Sequence, residues 1–97
     1  MDIQIKVEDA VIHVALTGSL NAATAGELEE ALTPHLAGAA EVQFDFTELE
    51  YLSSAGLRVL MMTYKRLGGT GVRIDGACDE IREVFDITGF SALFDIR

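Results

Sequence analysis

Two adjacent serines, Ser53 and Ser54, are the residues of this chain whose type and position most clearly suggest chemistry. Apolar residues alternate with polar ones before them and recur at spacings of three and four after them: Val42, Phe44 and Phe46, then Leu57, Leu60, Met61, Tyr64 and Leu67. The first pattern predicts a strand and the second a helix. Serine is a preferred helix N-cap because its oxygen accepts an otherwise unpaired backbone N–H. One serine is enough for a cap, so the pair is either helix punctuation or a cap beside a free hydroxyl, which Gly56 has no side chain to cover.

A hydrolytic serine needs more than a free hydroxyl. The strained turn that presents such a nucleophile has glycines two positions before and after it, and Leu52 occupies the first of these positions relative to Ser54. Only His13 and His35 offer an imidazole base, and neither falls near the serines in the expected fold. We therefore expect no catalytic residues and no enzymatic activity.

Other chemistry-bearing residues predict no cofactor. His13 has no histidine, cysteine or carboxylate beside it at the spacing of a metal site. The glycine-rich stretch at residues 67–71 follows a helix and lacks the Gly-Lys-Ser/Thr ending of a phosphate-binding loop. Cys78, the only cysteine, is predicted to be a small buried or half-buried residue at a helix start.

The elements that position the serines follow from the apolar pattern. Strands are predicted at residues 3–7, 11–16, 41–46 and 72–75, and a short edge strand at 94–96. A loop at residues 18–21 leads to the first helix, with Asn21 as its cap and Pro34 kinking or closing it. The serines begin the second helix, residues 78–87 form the third, Gly89 ends it, and residues 90–94 make a helical turn.

This order of elements predicts an α/β fold. Strands that alternate with helices form parallel neighbours joined by right-handed crossovers. We expect a mixed β-sheet with helices packed mainly on one face. Residues 53–57 then lie at the carboxyl end of a strand, where open α/β folds place their sites, and the loop at 18–22 lies near them.

Composition limits the class of protein. The chain has 97 residues, 49% of them hydrophobic, which predicts one domain spanning residues 1–97 with a single core. A formal charge of −9 disfavours nucleic acid as a partner and favours a basic protein surface. No apolar run is long enough to span a membrane, and no basic region precedes an apolar block at the start. We expect a cytoplasmic protein that does not associate with membranes.

Three segments together resemble the STAS-domain family, in its bacterial anti-sigma factor antagonist (anti-anti-sigma factor) branch. Residues 44–57, with Ser53-Ser54-Ala55-Gly56-Leu57, resemble the family signature around its phosphorylated serine. Residues 17–24 are similar to the Gly-x-Leu-Asp element before the first helix, and residues 87–90 to a Thr-Gly-Leu element after the third. The resemblance covers essentially the whole chain and implies a STAS-like fold.

The resemblance also implies a function. Ser54 aligns with the phosphorylation site, and the partner-binding residues would be Asn21, Ser53, Ala55, Gly56, Leu57 and Arg58. The unmodified domain would bind an anti-sigma factor that is also a serine kinase, and phosphorylation of Ser54 would end that interaction. A PP2C-type phosphatase would reset this partner switching, which regulates transcription.

Two departures from the family pattern affect the site. Ser53 and Asn21 stand where many members have Asp, so two carboxylates expected near the phosphorylation site are absent. The hydroxyl of Ser53 is an alternative acceptor to that of Ser54, and the sequence leaves open whether it is used. The alternative function is a scaffold STAS module that binds a kinase in a stressosome-like assembly.

Overall fold

Five strands lie side by side in chain order in the computed structural model, which describes all 97 residues. The first two strands are antiparallel and every later neighbour is parallel. The elements are β1 (Asp2–Glu8), β2 (Val11–Leu20), α1 (Ala25–Leu36), β3 (Glu41–Leu52), α2 (Ser54–Arg66), β4 (Val72–Asp75), α3 (Asp79–Thr88), a 3₁₀ turn (Phe90–Ala92) and β5 (Asp95–Ile96).

The three helices share one face of the sheet. Each connects two parallel strands, and every crossover moves to the next strand in the same direction, so right-handed connections place all three helices on the same side. The residues of β2, β3 and β4 on that side are buried, among them Ile12, Val14, Phe44 and Ile74, whereas those of the edge strand β1 are only half-buried or exposed. On the other side lie half-buried or exposed polar residues such as His13, as expected. The predicted mixed sheet with helices on one face is confirmed.

The strands that lead to the site are longer than predicted. β2 continues through Leu20 and β3 through Leu52, so residues 18–20 are strand rather than loop. Two β-bulges account for the difference. Phe46 and Thr47 of β3 lie opposite the single residue Leu16 of β2, and Glu50 is a second extra residue. Each extra residue shifts the alternation by one, so the buried positions after Phe46 are Leu49 and Leu52, spaced by three.

The first helix begins later than predicted. Asn21 is not its N-cap: the helix starts at Ala25, and residues 21–24 form a turn before it. The helix ends at Leu36, two residues after Pro34, which agrees with the expected closure.

The buried stripe of α2 also differs from the prediction. The buried residues are Gly56, Val59, Leu60 and Thr63, whereas Leu57, Met61, Tyr64 and Leu67 are only partly buried. Apolar side chains cover most positions of this helix, so the pattern does not select one face. The small residues at 56 and 63 let it approach the sheet, and the buried Thr63 hydroxyl donates to the Val59 carbonyl at 2.9 Å.

The structure confirms the predicted end of the third helix at Gly89 and corrects the prediction for Cys78 at its start. Gly89 ends it in the left-handed conformation, with a φ of 81° that favours glycine. Cys78 is the N-cap residue and is exposed rather than buried, because it precedes the helical face that packs on the core.

None of the helices has the length and apolar character to cross a membrane.

Candidate functional site

The two serines at the start of α2 have different environments. Ser53 is the N-cap, and its Oγ accepts a hydrogen bond from the Gly56 backbone N–H at 3.2 Å. Its carbonyl accepts the first helical bond from Leu57 N–H at 2.9 Å. Ser54 is the first residue of the helix, is exposed, and its hydroxyl makes no hydrogen bond to the protein. The structure therefore leaves one hydroxyl free at this helix start, and it belongs to Ser54.

Gly56 has a packing role that the sequence did not reveal. It is buried, and a Cβ at this position would lie 2.7 Å from Leu20 Cγ and 2.8 Å from Leu52 Cδ1. Both leucines are core residues at the ends of β2 and β3. The absence of a side chain thus lets α2 begin against the sheet, and Gly56 faces the core rather than the exposed serine.

A two-stranded ribbon carries the site. Residues 17–20 of β2 pair with residues 48–52 of β3, whereas β1 pairs only as far as Thr17 and β4 only as far as Asp45. At the end of the ribbon the Ser53 N–H donates to the Leu20 carbonyl at 2.9 Å. This bond holds the start of α2 beside the loop that precedes α1, so the two sequence motifs adjoin as expected.

Asn21 organises that loop. Its Oδ1 accepts hydrogen bonds from the N–H groups of Ala23 at 2.9 Å and Thr24 at 3.1 Å. The Thr24 hydroxyl donates in turn to the Ser19 carbonyl at 2.8 Å. The side chain thus satisfies the kind of backbone donors that a cap satisfies, but in the turn ahead of the helix.

A shallow groove of about 190 Å³ separates the first turns of α1 and α2. Four of its seven lining residues are alanine or glycine. The full lining is Ala22, Ala25, Gly26, Glu29, Ala55, Arg58 and Val59. Arg58 is exposed and forms no ion pair, although Glu29 lines the same groove. We call this the α1–α2 groove.

The predicted site residues fall into two groups. Ser54, Ala55, Leu57 and Arg58 are exposed or half-buried at the start of α2, with Asn21 and Ser53 half-buried beside them. Gly56 is the exception because it is buried. The sequence did not single out Ala22, Gly26 and Glu29 of the α1–α2 groove, nor Tyr51, which is 55% exposed at the end of β3. The sequence offered one signal for these residues, which is the aromatic Tyr51 two positions before Ser53.

The largest hollow in the molecule lies elsewhere. It measures about 400 Å³ on the open face of the sheet, around the small residue Ala15. Ion pairs already join Lys6 to Glu8 and Arg73 to Asp75, at 3.0 and 2.9 Å, in the strands that form this face. Nowhere do three metal-ligating side chains come together. The hollow and these ion pairs lie away from the start of α2 and add no chemistry to it.

Comparison with known proteins identifies the same type of domain. The family described as Mlab, STAS domain, matches residues 3–95. The Bordetella bronchiseptica protein BtrV, to which an anti-sigma factor antagonist role is assigned, is 35% identical over 91% of this chain and 78% of its own length. A solved anti-sigma factor antagonist from Mycobacterium paratuberculosis is 28% identical, with a TM-score of 0.86 over 98% of this chain and 83% of its own. The Bacillus protein SpoIIAA in its phosphorylated form shares the fold at 14% identity, with a TM-score of 0.78 over 99% and 91%.

Proposed function

The chain belongs to the STAS-domain family, and from this premise we propose that it is an anti-sigma factor antagonist controlled by phosphorylation of Ser54. Proteins of this class regulate by binding and are not enzymes. We propose that this domain, residues 1–97, acts in the cytoplasm by binding an anti-sigma factor, which then releases its sigma factor.

The observation that carries the proposal is the free hydroxyl of Ser54. It is exposed at the first position of α2 and bonded to nothing, whereas the neighbouring Ser53 oxygen is held by the Gly56 N–H. A kinase can align a free hydroxyl without first breaking a helix cap. This difference favours Ser54 over Ser53 as the phosphate acceptor.

The docking surface in this proposal consists of Asn21, Ser53, Ser54, Ala55, Leu57 and Arg58. These residues adjoin because the Ser53 N–H to Leu20 carbonyl bond brings the two loops together. Gly56 acts on this surface indirectly, by letting α2 sit close to the ribbon. Arg58 is the only charged residue among these six, and Glu29 lines the α1–α2 groove beside it.

Phosphorylation changes this surface without requiring the fold to change. A phosphate adds about −1.5 to −2 charges at neutral pH together with three acceptor oxygens. At a helix N-terminus such a group is favourable for the helix itself. The domain therefore remains folded while the partner meets a bulky anion in place of a small neutral hydroxyl.

The partner we propose is an anti-sigma factor that is also a serine kinase, and a PP2C-type phosphatase would restore the hydroxyl. The test is to capture the kinase with the purified domain, add ATP and measure intact mass. We expect one phosphate, mapped to Ser54, and none on the Ser54→Ala variant. The Ser53→Ala variant is the control, because it keeps the free hydroxyl.

Two results would contradict the proposal. Phosphate on Ser53 with Ser54 unmodified would move the acceptor. Stable binding of a kinase without any phosphate transfer would indicate a scaffold module instead.

A further inference from the structure

Arg58 is a cation without a partner in a strongly acidic chain. The chain carries 16 Asp and Glu against 7 Lys and Arg, and Lys6, Arg73 and Arg97 each pair with a carboxylate two positions away in the chain. Arg58 makes neither an ion pair nor a side-chain hydrogen bond, although Glu29 lines the same groove. It is the fifth residue of α2 and lies far from the C-terminal end of the helix, so it gains nothing from the helix dipole. Lys65, Arg66 and Arg82 also form no ion pair, and of these four exposed cations only Arg58 belongs to the docking surface.

The position of Arg58 relative to Ser54 is specific. The two residues are four apart in α2, so they lie on the same face of the helix one turn from each other. Long side chains in helices lean toward the N-terminus, over the residues three and four positions earlier. For Arg58 these residues are Ala55 and Ser54. Arg58 and Ala55 line the same groove, which agrees with this direction.

We propose that Arg58 binds the phosphate on Ser54 and is thereby withdrawn from the docking surface. This inference rests on the proposed phosphorylation of Ser54. A guanidinium presents a planar fork of N–H donors that matches two phosphate oxygens. Because both side chains are exposed and no competing ion pair has to break, the contact forms by side-chain rotation alone.

The consequence is a larger change than the phosphate produces by itself. In the unmodified domain the Arg58 guanidinium is free to meet a carboxylate of the partner at the mouth of the α1–α2 groove. In the phosphorylated domain the same guanidinium is held by the phosphate. Phosphorylation thus adds an anion and occupies the only cation of the docking surface in one step.

The experiment places phosphoserine at position 54 during translation, so that no kinase is needed. The phosphate pKa is then measured by ³¹P NMR titration in the wild-type background and in the Arg58→Gln variant. We expect the pKa to be about 0.3 units lower when Arg58 is present, because a cation one turn away stabilises the dianion. The difference should shrink in 1 M salt, and Arg58→Lys should restore part of it. Arg82→Gln, which removes an exposed cation from α3, is the matched control and should leave the pKa unchanged.

Equal phosphate pKa values with and without Arg58 would overturn the inference, and so would an equal shift in the Arg82→Gln variant. Thermal melts of the unphosphorylated Arg58→Gln variant check that the fold is intact. The two proposals fail separately. A kinase that never modifies Ser54 contradicts the proposed function but not the ion pair, whereas an unchanged pKa contradicts only the ion pair.

Discussion

The two serines at the start of α2 show how adjacent identical residues acquire different roles. Ser53 holds the cap, because its extended backbone aims Oγ at the Gly56 N–H, and Ser54 already has helical geometry with its hydroxyl in solvent. The two early helical glycines differ in the same way. A Cβ at Gly56 would collide with Leu20 and Leu52, whereas a Cβ at Gly26 would meet nothing within 4 Å.

Alanine at each serine should separate structure from regulation. Ser53→Ala should lower the free energy of unfolding by about 0.5–2 kcal/mol, because the N–H of Gly56 loses its acceptor. Ser54→Ala should leave stability unchanged or raise it slightly, because alanine is the better helix former and no bond is lost. Chemical denaturation of both variants measures this, and a large loss in Ser54→Ala would assign that serine a structural role.

The glycines give a second matched pair. Gly26→Ala should stabilise the domain by about 0.5–1 kcal/mol, because the Cβ enters open space and the helix gains propensity. Gly56→Ala should destabilise it, because overpacking costs about 1–3 kcal/mol and exceeds the gain in propensity. Melting temperatures that move in opposite directions confirm the distinction. Stabilisation in both variants would show that the side chains of Leu20 and Leu52 can move aside for the added methyl group at little cost in free energy.

At the scale of elements, the bulges in β3 decide where the site lies. They add two residues relative to β2, so that Leu49 and Leu52 still face the core and Ser53 meets the Leu20 carbonyl. Asp45 supports the first bulge, because its Oδ1 accepts hydrogen bonds from the Thr47 hydroxyl at 2.6 Å and the Thr47 N–H at 3.0 Å. Both bonds lower the pKa of the Asp45 carboxyl below its ordinary value, and the bond from the Thr47 hydroxyl has the larger effect.

The lowered pKa predicts a specific dependence of stability on pH. A carboxyl whose pKa is lower in the folded state stabilises the protein above its unfolded pKa of about 3.9, and that contribution is lost as the pH falls through the folded value. Asp45→Asn should therefore flatten the fall in melting temperature between about pH 5 and pH 2. Asp86→Asn is the control for removing an exposed carboxylate, because that of Asp86 accepts no hydrogen bond. An unchanged slope in Asp45→Asn would show that the bulge does not depend on this carboxylate.

At the scale of the whole molecule, the fold separates a stable platform from a changeable surface. The core occupies the helical side of the sheet, whereas the proposed docking surface lies on the exposed start of α2 and the adjoining loop. The first turn of α2 holds no acidic residue, so the positive end of the helix is not yet neutralised. A negative charge added there favours the fold and opposes a partner that must desolvate it.

A charge at position 54 should therefore abolish binding without unfolding the domain. Ser54→Asp should weaken affinity for the anti-sigma factor by about a hundredfold or more, a loss of roughly 2.8 kcal/mol, because the partner must desolvate the added carboxylate when it covers the start of α2. Its melting temperature should be equal to or above that of the wild type, since the helix gains about 0.3–1 kcal/mol.

Calorimetric titration beside thermal melts measures both effects, and Ser54→Asn is the control of equal size without charge. It should lose much less affinity than Ser54→Asp. Equal losses in the two variants would assign the switch to bulk, and wild-type affinity in Ser54→Asp would contradict a charge switch altogether.

Local pattern was sufficient for much of this protein. Alternation and helical periodicity determined the order of elements, the mixed sheet that this order implies and the side on which His13 lies, because these patterns depend on residues close in the chain. The same patterns placed two serines at a helix start, and the resemblance carried by three short motifs identified the family. All of these features depend on residues that are close together in the chain, and a sequence pattern contains information about such residues only.

The tertiary structure alone decided the rest, because it depends on contacts between distant segments. Alternation failed after Phe46, since a bulge is defined by the register against β2 and not by β3 itself. The buried face of α2 was ambiguous because apolar residues surround that helix, and Gly56 could be assigned to the core only once Leu20 lay against it. The freedom of Ser54, and of Arg58 one turn later, likewise follows from which neighbouring groups are already paired when the chain is folded.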